Sequence, residues 1–264
     1  MTILDVDFGR MYRDHLAASG RREKPPEAWD ARAAEMGPET QGSYVTEFVR
    51  RMDLSGCETL LDVGCGPGTI ALAVADRLSR VYGLDYSRGM LNVLMENAAA
   101  RGLSNVEPIQ CAWEDDWSDV PACDVVVASR STLVSDMAEA LAKLDARAHR
   151  RVYLTSLVGG RFVHGEIFQA LGRTQPPFPD YIYILNILYR MGRLPRLDYI
   201  DAGGRTAGGS DFESLVRQVT FSLGELSPAE MERLAAWYHA DPERAQQAGA
   251  PRCWAFVSWE TLGR

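Results

Sequence analysis

Leu60-Leu61-Asp62-Val63-Gly64-Cys65-Gly66-Pro67-Gly68-Thr69 constrains this chain more than any other stretch. Thr59 to Val63 is a short apolar run with the length of a buried parallel strand. Three glycines at alternate positions follow, and then Thr69 to Leu78, whose alanines and leucines have helical composition. Strand, glycine turn and helix in that order form the first half of a nucleotide-type crossover. Glycine suits such a bend because the chain turns sharply and a ligand approaches the backbone with no Cβ in the way. The helix N-terminus behind it offers free N–H groups and a partial positive charge to an anionic group. Cys65 fits there as a small residue rather than a nucleophile.

The ligand is narrowed by spacing. A dinucleotide fingerprint, G-x-G-x-x-G, would place its third glycine at Thr69, and here it comes one residue early. A second acid closes the next apolar run, Val81-Tyr82-Gly83-Leu84-Asp85, near the interval at which an acid on strand two meets ribose hydroxyls. Asp62-x-Gly64-x-Gly66-x-Gly68 followed by Gly83-Leu84-Asp85-Tyr86-Ser87 resembles motifs I and II of the class I S-adenosylmethionine-dependent methyltransferases, in detail their broad small-molecule branch called type 11. A glycine turn without ligand and a dinucleotide site are the competing readings. The resemblance covers roughly residues 40–155.

The resemblance implies an α/β, Rossmann-like, seven-stranded and mostly parallel sheet with helices on both faces, an antiparallel last strand and a helical lid insertion. It implies S-adenosyl-L-methionine as cofactor and S-adenosyl-L-homocysteine as product. Gly64, Cys65 and Gly66 would cradle the methionine moiety, and Asp85 would accept both ribose hydroxyls. Tyr86 and Met90 would flank adenine, whose edge is read by the Ala112-Trp113 backbone, although relatives carry Asp-Ala where this chain has Cys111-Ala112. Asp62 would hold the turn and the cofactor's ammonium. Tyr44, Ser129 and Arg130 complete the expected cofactor shell. Trp113 reads equally as an adenine stack or as filling at the sheet edge.

Along the chain, residues 1–28 are polar and mixed. Helical patterns cover 29–35 and 39–52 and form, with the residues before them, an N-terminal cover over 1–55. The cofactor-binding core occupies 56–158, with strand signals at 80–84, 106–110, 124–129 and 151–155, helices at 88–101 and 134–147, and Ser87 as an N-cap. Gly159-Gly160 opens an insertion over 159–209, expected as lid or dimer interface, with helices at 162–172 and 181–191. A short strand signal lies at 197–201, and 203–209 reads as a connection. The remaining 210–264 contains a strand-like alternation at 218–223, a capping box at Ser227-Pro228-Ala229-Glu230 and a terminal strand at 253–259. The sixth and seventh strands are expected at 218–223 and 253–259, joined by helix 228–239.

The acceptor is the least legible part. Trp29, Arg130, Phe178, Tyr181 and Tyr183 are the candidate substrate-pocket residues and suggest an apolar or aromatic small molecule. Trp29 reads equally as packing on the sheet. Arg130 has three readings: anchor for an anionic substrate, anchor for the cofactor carboxylate, or ion pair with Glu114 or Asp115. His164 and Glu166 are the weak candidates for a general base, while His15, His149 and His239 are expected on helices away from the site. A net charge of −8 argues against nucleic acid as the default partner. No signal peptide or membrane-length apolar run is present. Five cysteines without paired spacing read as reduced thiols in a cytoplasmic chain, and no metal set is expected. RNA or protein methylation, and cofactor binding without transfer, are the alternative functions.

Overall fold

A computed structural model describes residues 2–33, 42–204, 211–243 and 251–261 of the chain. The ends of the helices expected at 29–35 and 39–52, and most of the connection 203–209, lie outside the described residues. Seven strands form one sheet: β1 (Thr59–Val63), β2 (Arg80–Asp85), β3 (Val106–Gln110), β4 (Cys123–Ala128), β5 (Ala148–Leu157), β6 (Arg196–Gly204) and β7 (Pro251–Glu260). The helices are α1 (Phe8–Ala18), α2 (Pro26–Ala33), α3 (Ser43–Arg50), α4 (Ala71–Val74), α5 (Arg88–Ala100), α6 (Met137–Arg147), α7 (Gly165–Ala170), α8 (Tyr181–Arg190), α9 (Phe212–Leu223) and α10 (Pro228–Ala240).

The spatial order is β3-β2-β1-β4-β5-β7-β6. The first five strands pair parallel, and β7 runs antiparallel between β5 and β6. The order reverses between β1 and β4, and ligands of open α/β sheets lie beyond the strand C-termini at such a reversal. Alternation along the strands separates two cores. Leu60, Val81, Val125 and Phe256 pack with residues of α3, α4 and α5. Leu61, Val126, Leu154 and Trp259 pack on the other face with residues of α1, α6 and α8. A third cluster joins α7, α9 and α10 through Ile167, Leu215, Val219 and Leu234.

The structure departs from the sequence reading in several places. The polar segment 1–28 contains α1, whose Tyr12 is buried and donates its hydroxyl proton to Val134 O at 2.8 Å. The alternation at 218–223 lies inside a helix. Leu215, Val219 and Leu223 recur every four residues on its packed side, Asp211 accepts from Ser214 N–H at the start, and Gly224 at φ +83° ends it. The sixth strand is instead the 196–204 segment, whose partner β7 lies far along the chain. Segment 159–209 divides between layers: β6 joins the sheet, α8 packs beneath it, and α7 joins α9 and α10. The helix after the glycine bend is also shorter than its composition suggests, because Asn105 Nδ2 takes the carbonyls of Ala75 and Leu78 at 2.8 Å each. His149 lies in β5, next to its first residue, rather than on a helix.

Ile184 on α8 is fully buried against the sheet, whereas Ile182 is half exposed. Ile184→Ala is expected to lower unfolding free energy by about 2–4 kcal/mol and Ile182→Ala by less than about 0.5 kcal/mol, read from urea denaturation.

Candidate active site

The three glycines of the bend do different things. A Cβ on Gly64 (φ +66°) would lie 2.4 Å from Ser131 Cβ, and one on Gly68 (φ +90°) 2.5 Å from Leu94 Cδ1. Both positions are closed by packing. At Gly66 (φ +53°) the nearest atom is Met90 Sδ at 3.9 Å, so here the backbone is open to a ligand.

β1 and β2 are knitted together around this opening. Gly64 and Cys65 N–H both donate to Leu84 O, at 2.7 and 3.0 Å. Gly66 N–H donates to Asp85 Oδ2 and Ser87 N–H to Asp85 Oδ1, each at 2.9 Å. Burial pushes the Asp85 carboxyl above the usual carboxylate range. One N–H on each oxygen leaves acceptor capacity on both. Asp62 is buried below the bend, accepts from Ala71 N–H at 3.0 Å, and so pins the first turn of α4. Burial pushes its carboxyl up to about 7. The Cys65 sulfur is buried in the core beside Gly83, and burial raises its thiol.

A cover crosses the β2 side. Tyr86 donates its hydroxyl proton to Lys24 O at 3.1 Å. Asp30 Oδ1 accepts from Ser87 Oγ at 2.6 Å and Gly89 N–H at 2.8 Å, a carboxylate at the N-terminus of α5. Gly89 permits this contact, since a Cβ there would sit 2.8 Å from Asp30 Cα. Trp29 meets Phe221 of α9 edge to face at 5.4 Å, with Lys24 Nζ 3.7 Å over the Phe221 ring, and its side chain hydrogen-bonds that of Tyr86. Arg21, in the loop between α1 and α2, has a buried Nη1 with no hydrogen-bond partner, and its charge acts on Tyr12 and Tyr86.

Across the bend lies the end of β4. The Tyr44 hydroxyl is 2.8 Å from both Ser129 Oγ and Thr155 Oγ1, and burial raises its phenol. Arg130 is the non-glycine residue with left-handed backbone among the described residues (φ +61°). Its N–H donates to Thr155 Oγ1 at 3.0 Å and its guanidinium lies 4.6 Å over the Tyr44 ring. The expected ion pair with Glu114 or Asp115 is not formed: Glu114 accepts from Ser135 Oγ at 2.9 Å and Asp115 from Ala112 N–H at 2.8 Å. That second bond also occupies the amide expected to read adenine. Trp113 packs on Trp117 at 5.5 Å, the edge-filling reading.

Beside Arg130, at the C-terminal ends of β4 and β5, is a small cleft, partly open to solvent. Thr132, Ser156, Phe162, Phe178 and Trp254 are among its walls. Of the candidate pocket residues, Phe178 and Arg130 line this cleft, and Tyr181 and Tyr183 do not. Tyr183 packs on α1, its hydroxyl 3.0 Å from His15 Nδ1. Tyr181 pairs with Tyr199 on β6, 2.9 Å between hydroxyls. His164 caps α7, accepting Glu166 N–H at 3.3 Å, and neither residue lines the cleft. Ser156 and Thr155 could have been found from the rule that strand ends carry ligands; Arg21 and Asp30 carry no local signal.

These features fit an S-adenosyl nucleoside: an open glycine backbone and a carboxylate aimed at it with spare lone pairs. A methyltransferase-domain family model matches residues 60–151, from β1 into β5. An uncharacterized protein of Haemophilus influenzae is 40% identical over 267 aligned residues, 98% of either chain. The chain belongs to the class I S-adenosylmethionine-dependent methyltransferases. Its fold is shared with a coclaurine N-methyltransferase bound to N-methylheliamine and S-adenosylhomocysteine (14% identity, 98% and 96% of the two chains, TM-score 0.53). It is shared equally with the [4+2]-cyclase SpnF (18% identity, 99% and 97%, TM-score 0.53), so this architecture also carries other chemistry. Among the described residues of the methyltransferase, no helix is long and apolar enough to cross a membrane.

Gly66→Ala is expected to cost only about 1 kcal/mol of stability, for the left-handed backbone, yet to weaken S-adenosylhomocysteine binding at least about tenfold by calorimetry. Gly68→Ala should instead lower the melting temperature sharply, because its Cβ collides with Leu94 and Leu72. Asp62 ionises near pH 7 in the fold and near pH 4 in the unfolded chain, so between those values the fold retains a proton that unfolding releases. Its contribution to stability is therefore lost as pH rises from about 4 to about 7, and Asp62→Asn should flatten that decline in melting temperature measured against pH.

Proposed function

We propose that the chain methylates a small apolar or aromatic metabolite seated in the cleft beside Arg130. The observation that carries this reading is the cleft itself, which opens at the ends of β4 and β5 next to the glycine bend and has Phe162, Phe178 and Trp254 in its walls. When bound, the cofactor supplies an electrophilic methyl group on a sulfonium. The chain's residues supply placement, worth up to about 7–11 kcal/mol of barrier in the best-oriented cases.

In this reading Asp85 accepts the ribose hydroxyls while still holding the Gly66 N–H. The Gly64–Gly66 backbone supports the methionine part, and Asp62 faces its ammonium. Met90 and Tyr86 flank the nucleoside from the start of α5, and the N-terminal cover with α9 excludes water above it. The described walls of the cleft hold hydroxyls and one guanidinium but no carboxylate or imidazole. That favours an acceptor atom that is nucleophilic without a protein base.

Incubation with methyl-labelled S-adenosylmethionine and a fractionated cell extract tests the acceptor class. Label is expected in the small-molecule fraction; label confined to RNA or protein overturns the reading, and so does binding of the cofactor with no transfer to any fraction.

A further inference from the structure

Among the described residues, Arg130 is the sole charged one in the walls of the cleft. No carboxylate pairs with it among the described residues, and the acid that feels its field, Asp62, is buried beneath the bend and shifted toward its neutral form. Its position is enforced rather than incidental. The left-handed backbone turns the chain at the end of β4, Thr155 Oγ1 holds its N–H, and the Tyr44 ring supports one face of the guanidinium. Backbone of this kind persists only where its surroundings over-determine it, and such positions cluster at ligand clamps. Stacking on Tyr44 occupies a face of the guanidinium and leaves its in-plane N–H donors available, the geometry that a carboxylate matches with two parallel bonds.

A second donor stands near it. Ser156, at the end of β5, is largely buried, lines the same cleft and has no hydrogen bond from its hydroxyl to the described residues. Thr132, by contrast, spends its hydroxyl proton on Thr155 O at 2.8 Å. The remaining walls, Leu133, Leu157, Phe162, Phe178 and Trp254, are apolar. A cation and a free hydroxyl at one end of an otherwise apolar cleft describe a monoanion with an apolar body. A cationic acceptor would be repelled, and a phosphate dianion would lack a second positive charge on these walls.

We infer that the acceptor of this methyltransferase is a small carboxylic acid with an apolar or aromatic body, its carboxylate held by Arg130 and Ser156 and its body by Phe162, Phe178 and Trp254. This rests on the reading of the cleft as the acceptor site.

Benzoate, phenylacetate and octanoate, each against its primary amide, are titrated by calorimetry into protein saturated with S-adenosylhomocysteine. At least one acid is expected to bind about tenfold or more tightly than its amide. Arg130→Met should abolish that preference while changing S-adenosylhomocysteine affinity less than about twofold, and Arg130→Lys should restore part of it. Ser156→Ala, which leaves the backbone at Arg130 untouched, should weaken the preferred acid several-fold and its amide less. Equal binding of acids and amides, no saturable binding by any acid, or an Arg130→Met protein that loses the cofactor product but keeps the acid preference each overturns the inference. A labelled small molecule whose unmethylated parent carries no carboxylate would also overturn it, yet would leave the small-molecule reading standing.

Discussion

The Asp85 carboxylate is the contact on which the site depends. A bend that turns between strand and helix exposes consecutive N–H groups, and buried donors left unpaired are costly. Leu84 O takes those of Gly64 and Cys65, and Asp85 takes that of Gly66. The same carboxylate accepts Ser87 N–H, so one side chain fixes the exit of β1 relative to the entry of α5. Burying it costs desolvation, visible in its raised carboxyl, and the two N–H bonds offset part of that cost. The result is a cradle whose backbone is already in place before a ligand arrives.

Everything above the cradle comes from distant chain segments. α2 reaches α5 through Asp30, and α9 reaches α2 through the Phe221–Trp29 contact. α9 and α10 lie between β6 and β7, on an excursion that leaves the sheet's own order undisturbed. The cover is therefore an addition to a sheet complete without it. The [4+2]-cyclase SpnF shares this fold, so the architecture alone does not set the chemistry.

Legibility of the sequence followed the range of the interactions involved. Asp62, the three glycines and Asp85 were readable because strand, bend and acid are close in the chain and their spacing is dictated by one crossover. Caps were readable for the same reason: Ser87 accepts from Met90 N–H, Asp180 from Ile182 N–H, and Ser227 and Glu230 close their box as the pattern suggested. The strand-like alternation of Val219, Phe221 and Leu223 misled because both periods fit a few residues, and only the packing partners Ile167 and Leu234 select the helical one. The aromatics of α8 misled because the pattern reveals that a helix is buried on several sides but not against what.

The sequence by itself determined the glycine bend, the acid that faces it, five parallel strands and the class of cofactor, because each is encoded within one or two adjacent elements. Tertiary structure alone decided that 196–204 is the sixth strand, that Tyr181 pairs with Tyr199 and Tyr183 with His15, and that Arg130 stacks on Tyr44 and lines a cleft with Ser156. Those outcomes depend on which faces meet across the sheet, and side chains brought together by a fold leave no period or spacing along the chain.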